Sequence, residues 1–223
     1  MNILAIDSIT PVLSVAASGP KGMIQLTCIA GGQHAEGMLE LIDRAVTLAG
    51  FSPKETNLVA CAEGPGSFTG LRLAFSAAKA IQLAAECPLF PVPPLPVYAE
   101  MAKSWPGVVI SVLDAKKQRF YAQFFRRGAS VTEALDIGAK EAAAYIDPSE
   151  RILVTGPDAN LFGDELSASV PGLDLTVIPS GTEGIASAMI SFAKKQNAHY
   201  TNPVPDHAGP VYVRKSDAEA NNA

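Results

Sequence analysis

Ile3-Leu4-Ala5-Ile6-Asp7 is an apolar run closed by a carboxylate, and the same order returns in Val108-Val109-Ile110-Ser111-Val112-Leu113-Asp114. After each Asp come a short polar turn and a second apolar stretch, at 12–17 in the first case and 120–125 in the second. The offset is about a hundred residues, which reads as duplication of one unit rather than chance similarity of two strands. Working outward, 2–7, 12–18 and 23–30 are short runs rich in β-branched residues, separated by Pro11 and by Gly19 to Gly22, and predict a three-strand meander. Apolar residues at Ala35, Met38, Leu39, Ile42, Ala45, Val46 and Ala49 then recur at helical spacing until Gly50. A buried strand at 58–62 runs into a glycine-rich loop and a second helix over about 71–86, stopped by Cys87-Pro88, with a strand and proline-rich turn at 89–96.

The second half follows the same plan. Residues 131–137 are expected to supply a third strand and 139–146 a helix, and 152–155 a strand entering Gly156-Pro157, as 58–62 enters Gly64-Pro65. A last helix is expected at about 182–195. The reading is an α/β chain of two lobes, 1–100 and 101–216, each a mixed sheet with flanking helices, and 217–223 as a disordered tail.

The chain has 223 residues, a formal net charge of −5 and 48% hydrophobic residues, enough for packed cores and too acidic to attract a nucleic-acid backbone by itself. Three well-separated cysteines, Cys28, Cys61 and Cys87, fit neither a disulfide framework nor a paired-thiol metal site and read as core residues. The first apolar run meets Asp7 too early for a signal peptide, and no run approaches a membrane span, so a cytoplasmic location is expected.

An Asp that ends a strand before a tight turn is placed to hold a metal-bound phosphate against backbone N–H groups, although such an Asp equally satisfies its own turn. The candidate nucleotide-cleft residues are Asp7, Ser8, Gly64, Gly66, Ser67, Thr69 and Asp114. The loop from Gly64 to Gly70 has no Walker lysine, and Thr69 stands where a dinucleotide fingerprint needs glycine. Nucleotide binding is therefore expected to be weak at most and independent of Arg72, with no cofactor required. His34, His199 and His207 include no pair four apart, which leaves a zinc peptidase unsupported. The basic hairpin with Lys116, Lys117, Arg119, Arg126 and Arg127 reads as solvated surface rather than an RNA site.

The helix at 71–86 carries a single narrow polar stripe of Arg72, Ser76, Lys79, Gln82 and Glu86 and is otherwise apolar. One sheet covers one side of a helix, so the remainder calls for another layer or another chain. The helix at 34–49, broadened by Leu41 and Leu48, makes the same demand. The expected partner interface is Met38, Leu41, Ile42, Ala45, Leu71, Ala74, Phe75, Ala77, Ala78 and Ile81. The alternative is that the two helices cover each other.

Gly64-Pro65-Gly66-Ser67-Phe68-Thr69-Gly70-Leu71-Arg72, with the opening strand, His34-Ala35-Glu36, Leu113-Asp114-Ala115 and Pro210-Val211-Tyr212-Val213-Arg214, resembles the bacterial TsaB (YeaZ) family. The resemblance implies an actin-like/sugar-kinase-like (ASKHA) fold and a part in making N6-threonylcarbamoyladenosine in tRNA. It implies a TsaD-type catalytic partner, a TsaC-type source of threonylcarbamoyl adenylate, a TsaE-type ATPase in a larger complex, and a homodimer when alone. In the catalytic paralogue a helix after the glycine loop bears two metal-binding histidines four apart. Laid on this chain those positions are Pro94 and Tyr98. Proline offers no side-chain donor atom, and a phenol, with an ordinary pKa of about 10, stays protonated near neutral pH. The expectation is a non-catalytic subunit, touching tRNA only through the complex. The competing expectation is an active small-molecule kinase using Asp7 and Asp114 around a metal nucleotide.

Overall fold

The structure is a computed structural model that describes residues 1–29, 34–196 and 209–214. The calls on 217–223, His199 and His207 lie outside the described residues. The chain forms two compact units, Met1–Pro94 with Glu183–Val211, and Leu95–Thr182 with Tyr212–Ala223.

In the first unit β1 (Ile3–Asp7), β2 (Val12–Gly19), β3 (Gly22–Ile29), β4 (Leu58–Ala62) and β5 (Leu89–Val92) make one sheet in the order β3-β2-β1-β4-β5. β1 pairs antiparallel with β2 and parallel with β4, and β4 is parallel to β5. Every residue of β1 and β4 is buried, as expected for central strands covered on both faces. On one face Leu4, Ile6, Val15, Val59 and Cys61 meet α1 (His34–Ala49) and α2 (Phe68–Ala85).

The second unit repeats this plan with β6 (Val108–Asp114), β7 (Phe120–Arg126), β8 (Ala129–Ser130), β9 (Leu135–Ile137), β10 (Ile152–Gly156) and β11 (Leu175–Pro179). Its order, β11-β10-β6-β7-β8, is the first sheet's order in duplicate, with the same parallel and antiparallel pairings. The duplication is borne out at the loop as well: Gly64 and Gly156, each following its buried strand, both have φ +108, a conformation that favours glycine. The fold is the duplicated α/β architecture that the repeat implies. In the second core Phe120 meets Phe162 edge to face, beside α4 (Ala139–Ala142) and α5 (Ala159–Ser169).

Three details differ from the sequence reading. The third strand expected at 131–137 is two short pieces, because Thr132 Oγ1 accepts the Phe124 N–H (3.1 Å) in place of a ladder carbonyl. The helix expected at 139–146 is α4 followed by a 3-10 turn, Ala143–Tyr145. The two lobes also differ from 1–100 and 101–216, because helices change units. α3 (Pro94–Glu100), which follows β5, contributes Ala99 to a cluster with Val109, Phe125 and Leu153 of the second sheet. α6 (Ala186–Lys195), which follows β11, packs on β1, β2 and β4 of the first. Each helix supplies the layer that its sheet's second face needs.

Candidate functional site

At the carboxyl end of β1, Asp7 is completely buried. Its Oδ1 accepts from the Ile9 N–H (3.3 Å), and its Oδ2 accepts from Ser14 Oγ–H (3.3 Å) and from the Ile185 N–H (3.1 Å). Ser14 Oγ in turn accepts the Ala186 N–H at 3.3 Å. Ile185 occupies the cap position of α6 and has no side-chain acceptor of its own. Asp7 and Ser14 therefore satisfy the first N–H groups of α6 from a distant strand, and the carboxylate lies where the helix dipole favours an anion.

The neighbouring loop is closely packed by its own chain. Ser8 Oγ donates to the Gly70 carbonyl at 2.8 Å, Ser67 N–H donates to the Ile9 carbonyl at 2.9 Å, and Ser67 Oγ caps α2 by accepting the Gly70 N–H at 3.3 Å. A Cβ at Gly70 would lie 1.8 Å from the Ser8 carbonyl oxygen, and one at Gly66 would lie 2.5 Å from Ile9 Cβ. At Gly64 it would lie 2.4 Å from the Val211 oxygen, whose residue donates its N–H to the Glu63 carbonyl at 2.7 Å. The glycines thus permit close packing against 8–9 and 211. Thr69 is exposed. Arg72 is exposed and lies 3.9 Å above the Phe68 ring.

In the second unit Asp114 is partly exposed. Its Oδ1 accepts the Lys116 N–H (2.7 Å) and its Oδ2 the Lys116 ammonium (2.6 Å), while its own N–H donates to Asp158 Oδ2 at 2.8 Å. Burial raises the Asp158 pKa, partly offset by that N–H. The site residues therefore fall into two sets, Asp7, Ser8, Gly64, Gly66, Ser67 and Thr69 in the first unit and Asp114 in the second, each engaged within its own unit.

Other groups escaped the sequence reading. Glu63 lies largely buried beside the loop, and burial raises its pKa. Asp136 accepts from Arg214 Nε (2.6 Å) and Arg119 Nε (2.7 Å); burial works against its ionised form, but the two guanidinium groups outweigh it and hold the carboxyl below its usual range. Arg126 pairs with Glu150 at 2.8 Å. These pairs tie Arg119 and Arg126 of the hairpin to carboxylates of their own unit. Only Asp158 had a local signal, as a polar residue directly before a helix.

The predicted docking helices need correction. Met38, Ile42, Ala45, Leu71, Ala74, Phe75 and Ala78 are buried in the first unit's own core, so they face the sheet and each other rather than a partner. Leu41, Ala77 and Ile81 are partly buried at its margin. Among the described residues, the large apolar side chains that these helices expose are instead Leu39, Leu48 and Leu83, the last 84% exposed. The sequence pattern gave the width of the apolar arc but not its centre.

Pro94 and Tyr98 lie on α3, four residues apart, and both are buried. No cluster of three His, Cys, Asp or Glu suited to a metal occurs among the described residues, and the His34 side chain is outside them. Cys61 and Cys87 are buried and Cys28 partly so; burial pushes the Cys61 thiol well up. Among the described residues no helix is long and apolar enough to cross a membrane.

Comparison with known proteins connects this geometry to a family. The family model described as "TsaD: tRNA N6-adenosine threonylcarbamoyltransferase" matches residues 28–202. The Escherichia coli (strain K12) tRNA threonylcarbamoyladenosine biosynthesis protein TsaB is 31% identical over 129 residues, covering 57% of this chain and 56% of that protein. The match thus spans only about half the length of this and several other curated relatives. The Bacillus subtilis (strain 168) protein of the same name is 23% identical over 228 residues, covering 99% of this chain and 97% of that protein. YeaZ from Pseudomonas aeruginosa superposes with a TM-score of 0.77 at 21% identity, over 95% of this chain and 99% of that one, which is a likeness of fold.

Proposed function

Because the chain belongs to the family of TsaD-type tRNA N6-adenosine threonylcarbamoyltransferases, in its TsaB (YeaZ) line, we propose that it is a non-catalytic subunit of the tRNA threonylcarbamoyladenosine-modifying complex. It binds and supports a TsaD-type subunit that modifies the adenosine 3′ of the anticodon, and it meets tRNA only through that complex. A TsaE-type ATPase joins the larger assembly.

One observation carries the reading. α3 bears Pro94 and buried Tyr98 four residues apart, at the two positions where the family resemblance expects the paralogue's metal-binding histidines. Neither offers an imidazole-like donor to a metal. The engagement of Asp7 at the start of α6 lends further support, since that carboxylate already accepts from three protein donors. Any nucleotide binding is weak for the same reason. The partner docks on the outer rim of α1 and α2, formed by Leu41, Ala77 and Ile81 with exposed Leu48 and Leu83.

The test is reconstitution of the modification with a TsaD-type subunit and adenylate donor, with and without this chain. Activity should depend on it, and Leu83→Glu, at a fully accessible position, should weaken association at least tenfold while leaving the circular dichroism unchanged. Full transferase rates without the chain, or metal-dependent ATP turnover by the chain alone, would sink the proposal.

A further inference from the structure

The chain passes between its two units three times, at 94–95, 182–183 and 211–212. The first passage enters α3 at once, with Pro94 as that helix's first residue. The second is flanked by Gly181 and Gly184, whose φ values of 71° and 85° lie in the region that favours glycine. Hinges are built from a few loop or element-terminal residues of this kind, which absorb changes of φ and ψ. The third passage is pinned on both sides. Before it, Val211 donates its N–H to the Glu63 carbonyl at 2.7 Å, and its own carbonyl oxygen lies 2.4 Å from where a Cβ at Gly64 would stand. After it, Arg214 grips the Asp136 carboxylate as a fork, Nε to Oδ2 at 2.6 Å and Nη2 to Oδ1 at 2.9 Å, and its Nη1 donates to the Ala115 carbonyl at 3.1 Å. Paired charge-assisted bonds of this kind fix direction as well as distance. Each anchor lies within one unit, and only Tyr212 and Val213 separate them along the chain.

We propose that 211–214 is a strap that limits hinge motion of the two units about Gly181 and Gly184. Two intervening residues leave little slack, because a residue extends by at most about 3.6 Å. Opening at the second passage must therefore stay within that span or break an anchor. The anchors act in series: losing either one frees the strap, and losing the other as well adds nothing. This separates a strap from two independent local contacts, whose effects would add. The strap also gives Gly64 and Arg214 a common purpose. Gly64 keeps the seat of Val211 open, and Arg214 holds the turn that follows Asp114, so the segment reaches both stretches of chain that carry candidate cleft residues.

The strap is a property of the chain alone and does not depend on the transferase partner proposed above. Double electron–electron resonance on the full-length chain tests it. Nitroxide labels at Leu48→Cys on α1 and Leu161→Cys on α5 report one unit each; both positions are exposed, Cys28 is replaced by Ser, and Cys61 and Cys87 are buried. With the strap intact, the labels should give one narrow distance distribution. Arg214→Gln removes the fork and Val211→Pro removes the N–H donor. Each should widen the distribution at least twofold, and the two together should be no wider than the broader single variant. Insertion of four glycines between Tyr212 and Val213 should widen it equally while leaving both anchors in place. The insertion keeps the test decisive if circular dichroism shows that Val211→Pro does not fold. An unchanged width after loss of either anchor in a folded variant, additive widening in the double variant, or an insertion that behaves as wild type would overturn the proposal.

Discussion

Asp7 and Asp114 end equivalent strands of a duplicated unit, yet they are used in opposite ways. Asp7 is sealed from solvent and holds the start of α6 by accepting the Ile185 N–H itself and the hydroxyl of Ser14, which accepts the Ala186 N–H. Asp114 sits at the surface, tied to Lys116 two residues away. A carboxylate bonded to buried donors contributes strongly, because its loss strands those donors, whereas a surface ion pair exchanges readily with water. Duplication has preserved the strand and the turn, while surrounding burial decides what the side chain does.

The sharpest way to break this comparison is to truncate both. Asp7→Ala should cost about 3–5 kcal/mol, leaving Ser14 Oγ and the Ile9 and Ile185 N–H groups without their acceptor. Asp114→Ala should cost less than about 1 kcal/mol. Urea unfolding measures both, and equal costs would remove the distinction. A second contrast concerns two glycines on equivalent helices, Gly70 in the first turn of α2 and Gly163 in the middle of α5. A Cβ at Gly70 meets the fixed Ser8 carbonyl at 1.8 Å, whereas at Gly163 it meets a Val177 methyl at 2.6 Å, which has freedom to shift. Thermal denaturation should place Gly70→Ala at about 3 kcal/mol and Gly163→Ala at about 1 kcal/mol.

The smallest expected effect lies in the pH response. In the second unit Asp136 has a folded pKa below its unfolded value of about 3.9. Its contribution is therefore present above that pH and is lost as pH falls through the folded value. In the first unit Glu63 has a raised pKa, so its contribution is greatest at low pH and is lost as pH rises through the folded value. Arg214→Ala should flatten the acid loss, and Glu63→Gln should stabilise the chain at neutral pH by no more than about 1 kcal/mol. Stability measured from pH 3 to 8 checks both signs, and a Glu63→Gln variant less stable than wild type at pH 7 would reverse the assignment.

Much of the fold was legible because local periodicity encodes it. The strand-Asp-turn-strand repeat predicted two sheets of like order, and the helix pattern ending at Gly50 matches the end of α1 at Ala49. The split of the third strand into β8 and β9 was not legible, since it depends on Thr132 reaching the Phe124 N–H across a turn. The docking face was only partly so. Ala74 and Ala78 look equivalent to Ala77 along an apolar helix, and only the position of the sheet turns the first two inward.

The sequence by itself determined the duplicated α/β plan, the positions of Asp7 and Asp114, the absence of a Walker lysine, and Pro94 and Tyr98 at the ligand positions that the family resemblance marks. The tertiary structure alone decided that α6 completes the first sheet and that Asp7, 178 residues before Ile185, accepts the N–H at that helix's cap. Spacing along a chain reports which face of an element is apolar, but not which distant element covers it. That choice depends on where the backbone brings buried polar groups together, because each must find a partner once water is excluded.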